Sequence, residues 1–301
     1  MKLATVIVDG ARRGAILEEE ELFVTGAPLE ALIASGADMR GSGKWIKRAG
    51  AILDVPLRPS VLLCTGSNYR DHVEEREENA TPVNAPQVEF EFFLKAGQTV
   101  ASLEDPLILD PAFGDKIDQE TEVGLVIGPD CPRGVGMADA QRHIFGYIVV
   151  NDLTARDKQV RMTRDGGIFM QLGASKNFDG STRLSSYIVT ADEVDAGDLQ
   201  LRTRLNGALV QNNSTRNLIN GFDRIVSTFA SVLTLGPGTI ISTGTPGGTG
   251  WGQDAELTGR GFTPASCVPG RYLRIGDRVE SEVTGVGSLS FGVEQFRSSQ
   301  R

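Results

Sequence analysis

The chain has 301 residues, 40% hydrophobic and 23% charged, a balance that suits a globular protein of one large domain or one large plus one small. Its formal net charge is −9 and it has no long basic run, which argues against a nucleic-acid partner needing a clustered positive face. No stretch approaches the ~18 apolar residues of a membrane span. Cys64, Cys131 and Cys267 are too far apart for a metal-spaced pair or a disulfide framework, which points to a reducing cytoplasm.

The N-terminus, Met1-Lys-Leu-Ala-Thr-Val-Ile-Val-Asp9, turns acidic after a short apolar run. It reads as a strand over Leu3 to Val8 rather than a signal peptide. Gly10-Ala-Arg-Arg-Gly14 reads as its turn and Ala15 to Leu17 as the start of a return strand. Leu29 to Ala34 and Trp45 to Leu53 carry short helical or mixed patterns. Pro56 and Pro59 bracket a junction, so residues 1–58 read as a small N-terminal domain and 59–301 as the main one. Ser60-Val-Leu-Leu-Cys-Thr65 then opens the second part with a buried strand.

Gly66-Ser-Asn-Tyr-Arg-Asp-His-Val-Glu-Glu75 follows that strand, where scaffolds often place functional loops. If the chain is helical from Arg70, His72 and Glu75 share a face. A carboxylate that accepts a hydrogen bond from imidazole raises its basicity and fixes its tautomer, as a general base requires. A solvated helix face rich in Glu is the alternative, given Glu74, Glu77 and Glu78. The other histidine, His143, reads as a structural residue at the end of a helix.

Glu120 and Glu122 stand two apart in a segment that continues as Val-Gly-Leu-Val-Ile. A strand has a side-chain period of two, so both carboxylates point the same way. Asp152 closes a second apolar run, Ile144 to Val150. Three acids cannot stay ionised together in a partly buried place without positive charge among them. A hard cation, Mg²⁺, Mn²⁺ or Ca²⁺, would supply it; three solvated edge residues are the alternative. Beyond them the pattern is mostly β, with strands at Tyr187 to Thr190, Leu199 to Leu205, Thr239 to Ser242 and Arg278 to Val283. One helix stands out, from Leu218 and Ile219 through Phe222, Ile225, Val226, Phe229 and Ala230 to Leu233, ended by Gly236-Pro-Gly. The glycine-rich Thr243-Gly-Thr-Pro-Gly-Gly-Thr-Gly250 lacks the Lys-Ser/Thr ending of a phosphate loop and reads as a turn.

Asn68-Tyr-Arg-Asp-His72, Phe92-Phe-Leu-Lys95, Asp118-Gln-Glu-Thr-Glu122, Asn151-Asp-Leu-Thr-Ala-Arg-Asp-Lys-Gln159, Lys176, Asn206-Gly with Gln211, and Thr243-Gly-Thr-Pro246 occur in this order. That series resembles the fumarylacetoacetate hydrolase (FAH) family over about residues 59 to 296. The resemblance implies a β-rich mixed α/β fold, a distorted mixed β-roll core after a small N-terminal domain. It also implies a divalent metal, Mg²⁺ or else Mn²⁺ or Ca²⁺, a homodimer, and a small 2-oxo or 2,4-dioxo carboxylate as substrate. By the same resemblance Glu120, Glu122 and Asp152 match metal ligands and His72 and Glu75 a catalytic pair. Lys95, Arg156, Gln159, Lys176 and Thr245 match positions that line the substrate site, and Asp118 a recurrent acid without an assigned role.

The chain departs from the family pattern in three places. Asp179 is followed by no proline, Gly166-Gly-Ile-Phe-Met-Gln171 stands where a tryptophan is usual, and the segment from Arg76 to Phe90 is long and acidic, as a lid would be. The expected reaction is hydrolysis of the C3–C4 bond of a 2,4-dioxo acid to pyruvate and a carboxylic acid. The alternatives are decarboxylation of a β-keto acid such as oxaloacetate, isomerisation or hydration of a 2-oxo acid on the same metal, or a non-catalytic chelating protein.

Overall fold

The computed structural model describes residues 1–36, 38–76, 91–162, 164 and 168–297. Strands dominate these residues, in a twelve-stranded sheet, a five-stranded sheet and two two-stranded ribbons. The centre of the large sheet is the antiparallel pair Thr121–Ile127 and Ile144–Asp152, with Thr121 opposite Asn151 and Glu122 opposite Val150. Every residue of Thr121–Ile127 is buried, so the strand needs apolar side chains on both faces. Val123, Leu125 and Ile127 enter one core and Val126 the other.

Ile240–Ser242 flanks Thr121–Ile127 antiparallel, then pairs parallel with Val61–Thr65, which carries Phe92–Ala96 at the sheet's end. That parallel step makes the sheet mixed. On the other side Tyr187–Thr190 joins Ile144–Asp152 to Lys2–Val8, and the strands Ala11–Leu17, Glu21–Thr25 and Gly43–Lys47 extend the sheet further. The second sheet holds Ala208–Ser214, Gln200–Leu205, Arg278–Val283 and Gly287–Gln295, with Leu107–Leu109 added in parallel. The two sheets meet through buried polar groups: Thr203 Oγ1 donates to Thr121 Oγ1, which donates to Ser281 Oγ, and Asn151 Nδ2 also donates to Ser281 Oγ. Thr121 of this junction stands between Glu120 and Glu122 in the chain.

Three local expectations are corrected. The first turn is only Asp9 and Gly10, with φ of 51° and 74°, so the return strand begins at Ala11 and takes in both arginines. Two left-handed residues match the twist of a tight hairpin, and Asp-Gly is a favoured pair for it. Residues Trp45 to Leu53 contribute the strands Gly43–Lys47 and Ile52–Asp54, not a helix. Cross-strand packing overrides local pattern there, with the Phe23 and Trp45 ring centroids 5.2 Å apart. The long helix runs Phe222–Val232 and starts after Gly221. Leu218 and Ile219 are claimed by the neighbouring loop instead: Ile219 N donates to Asn68 O, and Leu218 bridges to Tyr69. The helix buries Phe222, Ile225, Val226, Phe229 and Ala230 against the central strands, each of the four larger side chains contributing about 1.5–3 kcal/mol. Among the described residues no helix is long and apolar enough to cross a membrane.

Candidate active site

Glu120, Glu122 and Asp152 each present one carboxylate oxygen, and these oxygens lie within 4.8 Å of one another, all buried. Glu120 stands one residue before the strand Thr121–Ile127, yet its carbonyl still accepts from Asp152 N at 2.9 Å, which holds the chain extended and keeps Glu120 on the face of Glu122. Glu122 Oε2 accepts from Ser242 Oγ at 2.5 Å and from Gly244 N at 2.8 Å. Lys176 Nζ bridges Glu120 Oε2 and Asp152 Oδ2 at 2.5 and 2.7 Å. Lys95 Nζ donates to Asp152 Oδ1 at 2.5 Å and to Ser181 O at 2.8 Å. The Arg156 guanidinium binds the other oxygen of Glu120, and its Nε reaches Asp118 Oδ2 at 3.0 Å.

Burial, with the charges of Asp152 and Glu120 beside it, pushes the Glu122 carboxyl up to about 8. Burial acts on Glu120 in the same sense, but Arg156 and Lys176 prevail and hold it well below the usual carboxylate range. Burial also raises Asp118, against the pull of Arg156. The cluster sets five buried carboxylates, Glu75, Asp118, Glu120, Glu122 and Asp152, against three buried cations, Lys95, Arg156 and Lys176. With all five ionised it would be two positive charges short, and that shortage is felt at Glu122. An all-oxygen donor set with that deficit fits a hard divalent cation.

His72 lies in the short helix Arg70–Glu74, and Glu75 caps it. His72 Nδ1 is 2.6 Å from Glu75 Oε2, and both side chains are buried. Glu75 also accepts from Gly248 N and Thr249 N on Oε1, at 2.6 and 2.8 Å, and from Thr249 Oγ1 on Oε2 at 2.9 Å. An ionised carboxylate can only accept, so the shared proton belongs on Nδ1, and in the neutral imidazole the lone pair is then on Nε2.

His72, Glu120, Glu122, Arg156, Gln159, Lys176 and Thr245 line one cleft. Outside that lining, Glu75 bonds His72, Asp152 bonds Lys176, and Lys95 in turn bonds Asp152. Gln159 Oε1 accepts from Arg156 Nη1 at 2.7 Å. Thr245 Oγ1 accepts from Gln211 Nε2 at 2.9 Å and donates to Thr121 O at 3.1 Å. Asp118 holds Arg156 and accepts from Gly250 N and Trp251 N, at 2.8 and 3.0 Å. His143 meets the Asp130 carbonyl at the end of the turn Gln141–His143. The segment 77–90, expected to form a lid, and Gly166 and Gly167, in the stretch that replaces the family tryptophan, lie outside the described residues.

Sequence reading passed over Trp251, which also lines the cleft. Its ring carries the Arg156 guanidinium 4.8 Å from its centroid and that of Arg76 at 5.2 Å, and it meets the His72 ring edge-on at 6.2 Å. One of only two tryptophans, next to a glycine-rich turn, was the available signal. A roomier groove of about 480 Å³ runs past Lys2, Tyr187 and Arg202, but its cross-strand charges pair, Arg202 with Glu282 at 3.6 Å, and it holds no cluster of acids.

Residues 61–294 match the family described as fumarylacetoacetate (FAA) hydrolase, C-terminal. The chain is 32% identical over 237 residues to oxaloacetate tautomerase YisK of Bacillus subtilis, an alignment spanning 78% of this chain and 70% of that protein. Among solved structures it resembles the fumarylacetoacetate hydrolase of psychrophilic Exiguobacterium antarcticum, with a TM-score of 0.77 and 27% identity over 98% of this chain and 100% of that one. It also resembles maleylpyruvate hydrolase from Sphingobium sp. SYK-6, solved with manganese(II) and pyruvate, with a TM-score of 0.73 and 26% identity over 99% of this chain and 100% of that one. The β-rich fold expected from the motifs is the fold found, and the chain belongs to the fumarylacetoacetate hydrolase family of enzymes.

Proposed function

We propose that this chain is a divalent-metal-dependent hydrolase that cleaves the C3–C4 bond of a 2,4-dioxo carboxylic acid to pyruvate and a second carboxylic acid. The observation that carries the reading is the buried His72–Glu75 pair, 2.6 Å apart, opening on the same cleft as Glu120 and Glu122. Glu120, Glu122 and Asp152 would hold the cation, and hard oxygen donors favour Mg²⁺ or Mn²⁺, with Ca²⁺ also suited. When bound, the cation supplies a Lewis acid for the substrate's carboxylate and 2-oxo oxygens.

His72 Nε2 takes a proton from water, and Glu75 stabilises the imidazolium through Nδ1. The water oxygen bonds to the 4-oxo carbon. Gln159 gives its carbonyl oxygen to Arg156, which turns its amide N–H donors to the oxyanion that develops. As the carbonyl re-forms, the C3–C4 bond breaks and its electron pair passes to the pyruvate fragment as an enolate. His72 returns the proton to C3, which yields pyruvate and restores the neutral imidazole. Arg156, Lys176 and Thr245 line the same cleft and would hold the substrate carboxylate.

A second reading, keto–enol tautomerisation of oxaloacetate, is favoured by the 32% identity to a tautomerase. It uses the same base on a C3 proton instead of water. Adding Mg²⁺ or Mn²⁺ and following both pyruvate release and loss of the enol absorbance separates the two. Pyruvate from an acylpyruvate supports hydrolysis; enol loss from oxaloacetate with no pyruvate from any dioxo acid rejects it. We also infer a homodimer with a two-fold axis, supported by sheet edges that need cover. Light scattering at the 32.2 kDa monomer mass at micromolar protein would count against it.

A further inference from the structure

The run 243–251 lacks the ending of a phosphate loop, yet its backbone N–H groups still cradle anions. The anions are the protein's own carboxylates. Gly244 N donates to Glu122 Oε2 at 2.8 Å, Gly248 N and Thr249 N to Glu75 Oε1 at 2.6 and 2.8 Å, and Gly250 N and Trp251 N to Asp118 at 2.8 and 3.0 Å. The backbone comes this near because it carries no side chain where it must pass: Gly248 has φ +106°, and a Cβ there would lie 2.0 Å from Val210 O. A Cβ on the following Gly252 would lie 2.7 Å from Glu75 Oε1.

We propose that residues 243–251 form a carboxylate cradle that positions the proton-transfer pair, with Thr249 as the positioning residue for Glu75 and, through it, His72. The inference rests on the reading above that His72 moves the proton. A carboxylate has about four lone-pair sites. On Glu75 these are filled by Gly248 N and Thr249 N on one oxygen and by Thr249 Oγ1 and His72 Nδ1 on the other. The Thr249 hydroxyl therefore fixes the very oxygen that orients the imidazole. Without it that oxygen keeps one donor, and the Glu75 carboxylate turns about its remaining bonds, carrying His72 Nε2 out of line. The same backbone holds Asp118, which holds Arg156, so one segment aligns the base and the arginine together. Thr249 is fully buried, so its hydroxyl has no water to fall back on.

Thr249→Val keeps the shape and removes the donor; Thr249→Ser keeps the donor. Loss of one hydrogen bond to a charged group predicts that Thr249→Val lowers kcat about tenfold while KM and Mn²⁺ affinity stay within about twofold, and that Thr249→Ser restores kcat. A second readout needs no turnover. The chain has only two histidines, so ¹⁵N-histidine NMR resolves the His72 Nδ1 proton. Its exchange with water should be at least about tenfold faster in Thr249→Val than in wild type or Thr249→Ser, for the same loss. If the valine variant does not fold, Thr249→Ala read by the same exchange decides. Equal exchange and equal kcat in wild type and Thr249→Val, or a serine variant as impaired as the valine one, would overturn the cradle. If wild type turns over neither substrate class, the reaction proposed above falls, and the exchange measurement still accepts or rejects the cradle alone.

Discussion

Lys95 Nζ donates to Asp152 Oδ1 at 2.5 Å, and each of the two side chains is 1% exposed. Removing Lys95 leaves the buried Asp152 carboxylate with Lys176 as its remaining cation. Lys95→Met should therefore destabilise the metal-free protein in urea unfolding, by less than the about 3–5 kcal/mol of a fully orphaned buried charge. A midpoint within experimental scatter of wild type would show that the pair is not what holds Asp152.

The Glu122 carboxyl gives a pH signature. Its value in the folded protein is about 8 against an ordinary 4.5, so between those limits the native state binds more protons than the unfolded one. Stability then falls as pH rises. Without metal, the melting temperature should drop between about pH 5 and 8, and Glu122→Gln should flatten that slope. Glu120 works in the opposite sense, because Arg156 and Lys176 hold it low; its contribution is present at neutral pH and disappears only in acid, below the ordinary carboxylate range. A melting temperature that climbs from pH 5 to 8 in chelator would contradict the assignment to Glu122.

A divalent cation should reverse the Glu122 effect. At one hundred times its Kd, a bound ion adds about 2.7 kcal/mol to stability by mass action, and the gain should grow with pH as the cation meets an ionised Glu122. Calorimetric titration with Mn²⁺ should give one site in wild type and a large loss of affinity in Glu120→Gln, Glu122→Gln and Asp152→Asn. Wild-type affinity in all three variants would remove the metal from the cluster.

Glu75→Gln should slow turnover less than loss of His72 itself. The amide still accepts from Nδ1, but an uncharged partner stabilises an imidazolium less. One arm of the amide would also point its own N–H groups at the donors Gly248 N and Thr249 N, or at His72. The checkable outcome is a rate between those of wild type and His72→Ala under single-turnover conditions.

Part of this arrangement is legible in the chain. Glu120 and Glu122 face one way because strands have a period of two, and the apolar run Ile144 to Val150, closed by Asp152, marks the strand beside them. His72 and Glu75 share a helix face because they are three apart. The cations are less visible: Lys95 and Lys176 stand 57 and 24 residues from Asp152, and only the folded sheet brings them beneath it. The cradle is invisible for another reason. Its donors are main-chain N–H groups, which every sequence has, and only their direction matters; that direction depends on positive-φ glycines such as Gly244 and Gly248. Trp45 misled because the neighbouring strand Glu21–Thr25 supplies its partner Phe23, and Leu218 because a loop asparagine, Asn68, captures the backbone that helical spacing would have used.

The most direct test of the account is His72→Ala in the Mn²⁺-loaded enzyme, followed by single-turnover pyruvate release from an acylpyruvate and by substrate affinity. Glu120, Glu122 and Asp152 are left intact, so affinity should stay within a few-fold of wild type, while the rate should fall by ~10²–10⁴, the usual loss for a general base. An unchanged rate in His72→Ala would contradict the account: water would not be activated by this imidazole, and hydrolysis by the His72–Glu75 pair would fall with it.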